Sequence, residues 1–237
     1  MSLFHFKQFV IDQENCPMKI NTDGVLLGAS VGLKNVRKVL DIGTGTGVIA
    51  LMLAQRSHEI FVDAIDIDHF AFEKASLNFN NSLFHEQLKA HHHGFIAFFE
   101  LNPQKKYDLI VSNPPYFLNA LKSPKLANNI SKHTNEQFFI DLISKTKNHL
   151  NPYGNLTLIV PVDISLMLQN LAPSFGLKPV KCVKIKSYPD KAHIRHIISF
   201  SNTNNRELKF EDFCIYASPG VYSLQYQALL KNFFKIF

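Results

Sequence analysis

The chain has 237 residues, of which 46% are hydrophobic, and its formal net charge is +6. It is long enough to bury a full core in one domain, and it contains no run of about 18 apolar residues that could span a membrane. The three cysteines are scattered and the N-terminus lacks the pattern of an export signal, so we expect a cytoplasmic protein with reduced thiols.

Short apolar runs alternate with segments of helical periodicity, which predicts a single α/β domain with a mostly parallel sheet covered on both faces. Strands are predicted near residues 38–42, 60–66, 87–91, 107–112, 155–160, 179–187 and 193–200. Helices are predicted near residues 22–33, 47–56, 69–81, 134–149, 163–172 and 222–235. Apolar and polar residues alternate in the last strand, which is typical of an antiparallel strand with one wetter side.

The first predicted strand ends in a glycine loop that opens a helix. Gly43, Gly45 and Gly47 can adopt positive φ and let a ligand approach the backbone closely. Their G-x-G-x-G spacing differs from the dinucleotide fingerprint, and no P-loop Lys-Ser/Thr pair follows. The next strand ends in Asp66, about 20 residues on, where an acid can accept both ribose hydroxyls of a nucleoside cofactor. Asp66 could instead cap the helix that follows Asp68.

The fourth predicted strand ends in the tetrapeptide Asn113-Pro114-Pro115-Tyr116. Two prolines fix φ near about −65° and supply no N–H, so the chain must leave the sheet there. The Asn113 side-chain oxygen and the Pro114 carbonyl then form two fixed acceptors, beside a Tyr116 ring that can stack on a flat molecule. This set suits an –NH₂ group, although Asn-Pro and Pro-Pro also mark simple turns. The glycine loop upstream favours the binding role.

A polar segment, residues 117–133, follows this tetrapeptide and shows little apolar periodicity. Loops of this length inside compact domains are usually functional or disordered. We interpret it as a substrate loop that becomes ordered on RNA binding, with Lys122 and Lys132 near phosphates. Phe117 could join Tyr116 in stacking on a substrate base.

Most of the excess positive charge lies between Lys178 and Arg195, a stretch that contains six basic residues and one acid. For any one of these residues, a solvated side chain on an ordinary surface is the simpler interpretation. As a cluster they favour a patch that contacts phosphates, and Lys184, Lys186 and Arg195 are the candidates.

Taken together, the glycine loop, Asp66 and the Asn113 tetrapeptide resemble class I S-adenosylmethionine-dependent methyltransferases that modify an amino or amide nitrogen. The blocks 6–9, 18–29 and 222–234 are similar to the bacterial tRNA (adenine-N6)-methyltransferases that act on the adenosine beside the anticodon of valine tRNA. The resemblance implies a Rossmann-like fold with a mostly parallel seven-stranded sheet and one antiparallel strand near the C-terminus.

The resemblance also implies how the single domain is organised and which residues hold S-adenosylmethionine. A cofactor-covering segment would span residues 1–35, the catalytic core 36–202 and a C-terminal extension 203–237. Asp41 is a candidate for the methionine amino group, directly or through water. The other cofactor-binding residues in the core would be Gly43, Thr44, Gly45, Gly47, Asp66 and Ile67.

Three residues of the N-terminal segment remain open to two interpretations. Asn21, Thr22 and Asp23 match the segment that closes over the cofactor in the resembled family. Asn, Thr and Asp are also good helix caps, so the same residues could begin the first helix.

The sequence departs from the resembled family after the third predicted strand. An acid that contacts the cofactor's adenine often follows that strand, but here the run is His91-His92-His93-Gly94-Phe95. This leaves the adenine to be stacked, or contacted by a backbone carbonyl or His93. Adjacent histidines in a strand point to opposite faces, and no carboxylate or cysteine completes a ligand set, so we expect no metal.

The resemblance implies N6-methylation of an adenosine in tRNA. Asn113 and Pro114 would hold the exocyclic amine in line with the methyl donor. The alternatives within the same chemistry are a release-factor glutamine, which is typically preceded by a separate helical domain, or an amine of ribosomal RNA or DNA. A catalytically silent RNA-binding homologue is favoured by Phe95 and opposed by the intact tetrapeptide. A nicotinamide oxidoreductase is disfavoured by the glycine spacing.

Overall fold

The computed structural model describes residues 3–115, 127–203 and 207–237, with the side chains of the helix that begins at residue 127 described from residue 136 onward. The strands are β1 (Leu3–His5), β2 (Val10–Asp12), β3 (Lys38–Ile42), β4 (Phe61–Asp66), β5 (Leu88–His92), β6 (Tyr107–Ser112), β7 (Leu150–Pro161), β8 (Lys178–Lys186), β9 (His193–Ser201), β10 (Lys209–Cys214), β11 (Tyr216–Ser218) and β12 (Val221–Tyr222). The helices are α1 (Thr22–Ser30), α2 (Val48–Arg56), α3 (His69–Asn80), α4 (Phe95–Leu101), α5 (Ala127–Asn148), α6 (Val162–Leu171) and α7 (Leu224–Leu230).

The main sheet confirms the predicted Rossmann-like class I methyltransferase fold. Its strand order is β10-β8-β9-β7-β6-β3-β4-β5. Strand β9 runs antiparallel to both β7 and β8, and the other neighbouring pairs are parallel. The alternating segment is therefore the one reversed strand among the described strands of this sheet, as the sequence indicated.

Strand β10 adds an eighth member to the sheet, where seven were expected. It pairs parallel with β8 and forms the outer edge. The first four of its six residues are exposed and the last two half-buried, so its sequence lacks the buried alternation by which a strand is predicted.

The helical predictions need three corrections, the first being that the helix predicted near residues 222–235 spans only Leu224–Leu230. Helix α5 begins at Ala127 instead of near residue 134, so the predicted substrate loop is wrong for residues 127–133. Its polar first turns lack the apolar periodicity that identifies a helix in sequence. Helix α4 was not predicted because its seven residues are too short for a helical period to stand out from a plain apolar run.

Two apolar cores pack against opposite faces of the sheet, as expected for helices on both sides. One contains residues of α1, α2, α3 and α7 together with the N-terminal hairpin β1–β2, and the other contains residues of α4, α5 and α6. In the first core α1 packs closely on α2. A Cβ added at Gly28 of α1 would come within 3.1 Å of Met52 of α2. Within the described residues, no helix combines the length and the hydrophobicity needed to cross a membrane.

The strand register brings the predicted motifs to one edge of the sheet. Ile42 at the end of β3 pairs with Ile65 of β4 and with Ser112 of β6. The Ser112 hydroxyl also donates to the Ile42 carbonyl at 2.7 Å. Gly43 and Asn113 follow these residues directly, so the glycine loop and the tetrapeptide begin side by side.

Candidate active site

The glycine loop is fastened to the end of β4 by backbone hydrogen bonds. The N–H groups of Gly43 and Thr44 donate to the Ile65 carbonyl at 2.9 and 3.0 Å. The Gly45 N–H donates to Asp66 Oδ2 at 2.9 Å. The loop and the acid that were predicted separately are therefore one hydrogen-bonded unit.

The three glycines of the loop have different surroundings. Gly43 and Gly45 have φ of +71° and +57°, and a Cβ added to either would meet no described atom within 4 Å. Gly47 has φ of +84°, and a Cβ there would lie 2.4 Å from Cε1 of Phe79. The first two glycines therefore present backbone to open space, whereas the third is required for helix α2 to pack against α3.

Asp41 and Thr44 lie beneath the loop. The Thr44 hydroxyl donates to Asp41 Oδ2 at 2.7 Å, and both side chains are buried. Asp41 Oδ1 has no hydrogen-bond partner among the described residues. Burial raises the pKa of Asp41 to about 7, against the opposing effect of the Thr44 hydrogen bond. Asp41 thus offers a buried, unused acceptor below the loop, and a contact to the methionine amino group remains a prediction.

Asp66 lies at the tip of β4 with each carboxylate oxygen already accepting a backbone N–H. Oδ2 accepts from Gly45, and Oδ1 accepts from Asp68 at 3.0 Å. Burial raises the pKa of Asp66 despite these hydrogen bonds. The cap of α3 is Asp68, whose side chain accepts from the Ala71 N–H at 2.9 Å, so the alternative in which Asp66 caps this helix is wrong. Each Asp66 oxygen retains a lone pair for a ribose hydroxyl.

A cavity of about 680 Å³ connects this unit to the tetrapeptide. Gly43, Gly45 and Asp66 line one part of it, and Asn113 and Pro115 line another. Its volume lies within the range that is usual for small-molecule sites. Asp41, Thr44 and Gly47 are not among the described residues that line it, so a cofactor contact by any of them remains a prediction.

The wall of the cavity beyond Asp66 is mainly apolar. Ile67 is 78% exposed and lines the cavity together with Phe95, the first residue of α4. The Phe95 ring packs edge-on against Phe138 with 5.6 Å between ring centroids. The Phe95–Phe138 pair suits packing against a flat base, at the place where the resembled family often has an acid. Glu100, five residues further along α4, also lines the cavity and is an acid that no sequence motif indicated.

The three adjacent histidines have three different surroundings. His91 Nε2 lies 2.7 Å from Asp63 Oδ1, and His92 Nε2 lies 3.1 Å from the Ile67 carbonyl. His93 lines the cavity. Across the described parts of the chain, no group of three or more His, Cys, Asp or Glu side chains is arranged to hold a metal ion.

Asn113 is oriented by a residue from the N-terminal segment. Asn21 caps α1, and its Oδ1 accepts the Gly24 N–H at 2.8 Å. The same Oδ1 lies 3.3 Å from Asn113 Nδ2. Asn21 Oδ1 is an acceptor and can bond only to a donor. The Asn113 amide therefore turns its NH₂ group, and not its oxygen, toward Asn21. None of the described residues donates to Asn113 Oδ1, which can therefore accept from a substrate amine.

The other predicted residues of the N-terminal segment lie away from the cavity. Asp23 Oδ2 accepts from Nε of Arg195 at 2.9 Å. Among the described residues, Pro17 and Met18 line the cavity from this segment, whereas Asn21, Thr22 and Asp23 do not. The capping interpretation is thus correct for Asn21, and a direct cofactor contact by Asn21, Thr22 or Asp23 remains a prediction.

Several of the remaining predicted site residues lie outside the residues that the structure describes. Tyr116, Phe117 and Lys122 lie outside the described residues, and so does the side chain of Lys132. Their roles in stacking and phosphate binding remain predictions. Pro114, which is described, is buried beside Asn113.

The predicted basic patch lies at the same edge of the sheet as Asn113, because β8 runs in the same direction as β6 and ends at Lys186. Lys184 Nζ lies 4.3 Å from the centroid of the Phe210 ring. Lys186 Nζ donates to the Pro189 carbonyl at 2.9 Å. Arg195 is held by Asp23, so its charge is partly compensated, and the two lysines are the better candidates for phosphate contacts.

Comparisons with known proteins agree with this geometry. Residues 23–178 match the model of the methyltransferase small domain family. The tRNA1(Val) (adenine(37)-N6)-methyltransferase of Pedobacter heparinus is 42% identical over 99% of this chain and 98% of its own length. The protein of the same name from Parabacteroides distasonis is 37% identical over 98% of this chain and 97% of its own length.

A similar fold occurs in a solved structure of a predicted O-methyltransferase from Agrobacterium tumefaciens. The TM-score is 0.70, with 17% identity, 89% of this chain covered and 96% of the other. At that identity the similarity concerns the fold alone. The two relatives and the family model show that the chain belongs to the tRNA1(Val) (adenine(37)-N6)-methyltransferase family and is an S-adenosylmethionine-dependent methyltransferase.

Proposed function

We propose that this enzyme methylates N6 of an adenosine in tRNA, with position 37 of valine tRNA as the target. The relatives that match along almost the whole chain carry this activity in their names. The observation that supports it in the molecule is the cavity that joins Gly43 and Asp66 to Asn113. A donor bound on the glycine loop and an amine held by Asn113 would meet inside it.

The residues of the cavity fit S-adenosylmethionine. The bare backbone at Gly43 and Gly45 leaves room for the methionine part, and Asp66 has free lone pairs for the ribose. The apolar part of the wall to which Ile67 and Phe95 contribute suits the adenine. When bound, this cofactor supplies an electrophilic methyl group on a sulfonium centre.

Asn113 performs the main task on the substrate side. The adenine amine is a weak nucleophile because its lone pair is delocalised into the ring. Asn113 Oδ1 and the Pro114 carbonyl can each accept one of its N–H groups, which fixes its direction and favours pyramidal nitrogen. Both acceptors also stabilise the positive charge that develops on nitrogen. The extra proton can leave to solvent afterwards, so no general base of matched pKa is required.

An adenosine in an anticodon loop is a reasonable substrate for such a cavity. The base must leave its stack to reach Asn113, and a loop base is already partly unpaired, which lowers the cost. With tRNA as its substrate, we expect the enzyme to work in the cytoplasm.

Mass spectrometry of nucleosides from total tRNA tests the proposal directly. Cells that lack the gene should lose N6-methyladenosine from valine tRNA, and the purified enzyme should restore it with S-adenosylmethionine. Calorimetry should show binding of S-adenosylhomocysteine. An unchanged nucleoside profile, together with no transfer to valine tRNA in vitro, would sink the assignment of the substrate.

A further inference from the structure

A second cavity, of about 430 Å³, lies beside the N-terminus of α1. We call it the side cavity. It is lined by β1, the start of α1, β12, α7 and the residues that follow α7. Asn21 belongs to its wall, and Asn21 Oδ1 contacts Asn113 Nδ2 at 3.3 Å. The two cavities are therefore separated by little more than one pair of amide side chains.

The side cavity has an aromatic lining. Phe4, Tyr222, Tyr226 and Phe234 all contribute to its wall. The rings of Tyr222 and Tyr226 are stacked with 4.6 Å between centroids and 6° between planes. Phe4 and Phe234 contact each other with 5.9 Å between centroids. Tyr222 is also stacked on Tyr216 with 5.0 Å between centroids, so the two tyrosines add a rigid apolar wall against which a flat, unpaired base can pack.

The charge around the side cavity suits an anionic partner. Lys235 lines it, and none of the described residues that line it is acidic. The tail from residue 215 to residue 237 contains no Asp or Glu. Lys7 fastens this tail, since its Nζ donates to the carbonyl oxygen of Phe237 at 2.8 Å and its backbone N–H donates to Phe233.

We propose that the side cavity binds the base of a nucleotide adjacent to the target adenosine on the same RNA strand. The inference rests on the proposed function. An adenosine that enters the cofactor cavity pulls its neighbours toward the Asn21–Asn113 wall, because the sugar–phosphate backbone joins them. The neighbouring base loses its stack when the target leaves, and the aromatic lining replaces that contact. Lys235 is placed to meet the intervening phosphate.

A pair of tyrosine substitutions separates binding from packing. Tyr222→Leu removes a ring that lines the side cavity. Tyr216→Leu removes the next ring in the same stack, 5.0 Å from Tyr222, and Tyr216 is not among the described residues of the cavity wall. We expect Tyr222→Leu to raise KM for an anticodon stem-loop RNA on the order of tenfold. Tyr216→Leu should leave it unchanged, and both should bind S-adenosylhomocysteine normally.

The matching change in the RNA is an abasic nucleotide on either side of the target adenosine. One of these two RNAs should be a poorer substrate for the unmodified enzyme, by a factor similar to that of Tyr222→Leu. The same RNA should cost the Tyr222→Leu variant nothing further, because the contact is already lost. Equal losses in the two tyrosine variants, or full activity on both abasic RNAs, would overturn the proposal.

The parent stem-loop distinguishes this failure from a failure of the proposed function. If the unmodified enzyme does not methylate valine tRNA or its stem-loop, the substrate assignment itself is wrong and the side-cavity proposal falls with it. If it methylates the parent RNA but is indifferent to the neighbouring bases, only the side-cavity proposal is overturned.

Discussion

The proposed cofactor side and the proposed substrate side of the active site are assembled in different ways. The cofactor side is one continuous β3–α2–β4 unit whose main contacts are backbone N–H groups meeting Asp66 and Ile65. The substrate side brings together Asn113 from β6 and Asn21 from the N-terminal segment, and they meet through side chains. The first side is fixed by local backbone geometry and the second by contacts between residues that are distant in sequence.

This difference predicts how each side responds to substitution. On the cofactor side, a change should be severe when it alters backbone conformation or a buried charge. On the substrate side, a change should be severe when it removes one particular polar atom, and binding of the cofactor should survive it.

Replacing Asn113 with Ala should have the largest effect. It removes the acceptor that positions the amine and stabilises its developing charge, so we expect kcat to fall by about a thousandfold. Affinity for S-adenosylhomocysteine, measured by calorimetry, should stay within about twofold because Asp66 and the glycine loop are untouched. A variant that turns over at the rate of the unmodified enzyme would contradict the role given to Asn113.

Asp41 gives the cofactor side a pH-dependent stability of its own. Its pKa is about 7 in the folded protein, against an ordinary value of 3.8 for the unfolded chain. At pH values between these two, the folded state holds a proton that the unfolded state has lost. The contribution of Asp41 to stability therefore falls as pH rises from about 4 to about 7, by up to about 1.4 kcal/mol per pH unit. Asp41→Asn should remove this fall in urea unfolding curves.

The control for this measurement is Asp63, an acid in the middle of β4 with the opposite shift. His91 and Lys105 contact its carboxylate at 2.7 Å each and outweigh the effect of burial, so its pKa lies at about 2. Asp63 contributes stability above its unfolded pKa, and this is lost as pH falls through the folded value. Asp63→Asn should therefore destabilise the protein at pH 7. An Asp63→Asn variant as stable as the unmodified protein at pH 7 would contradict the assigned charge.

Gly45→Ala tests whether the backbone of the loop faces the cofactor. An alanine there is strained at φ of +57° and places a methyl group in the cavity. We expect affinity for S-adenosylhomocysteine to fall more than tenfold. Gly220→Ala is the matched control, since Gly220 has φ of +77° and no described atom within 4 Å of the added Cβ. Gly220→Ala should lower the free energy of unfolding by a similar amount, about 1–2 kcal/mol, and leave the affinity for S-adenosylhomocysteine unchanged.

Asn21 provides a milder test on the substrate side. Asn21→Ala removes the acceptor that turns the Asn113 amide, and we expect kcat to fall about tenfold while cofactor affinity is kept. It also removes a helix cap, at a cost of about 1 kcal/mol. Asn21→Asp keeps both the cap and the acceptor, so it should retain most of the activity. If the two variants lose activity equally, Asn21 does not position Asn113.

The same contrast explains what the sequence could predict. Gly43, Gly45 and Asp66 lie within one unit whose spacing is itself the signal, and the structure brings them together. The contact between Asn21 and Asn113 has no local signal, because it depends on how α1 packs on α2. Glu100 was missed for a related reason: its place in the cavity wall depends on α4, a helix too short to be predicted from periodicity.

The smallest effect is expected at the outer border of the substrate side. Lys184→Glu combined with Lys186→Glu should weaken tRNA binding several-fold and lower the slope of log affinity against log salt by about 2, since each lysine would release one counterion. Lys34→Glu with Lys38→Glu changes the net charge equally at the opposite edge of the sheet, where β3 begins. That control should leave the slope almost unchanged. If both pairs lower the slope equally, tRNA responds to the overall charge of the protein, and the carboxyl edge has no special part in binding the RNA.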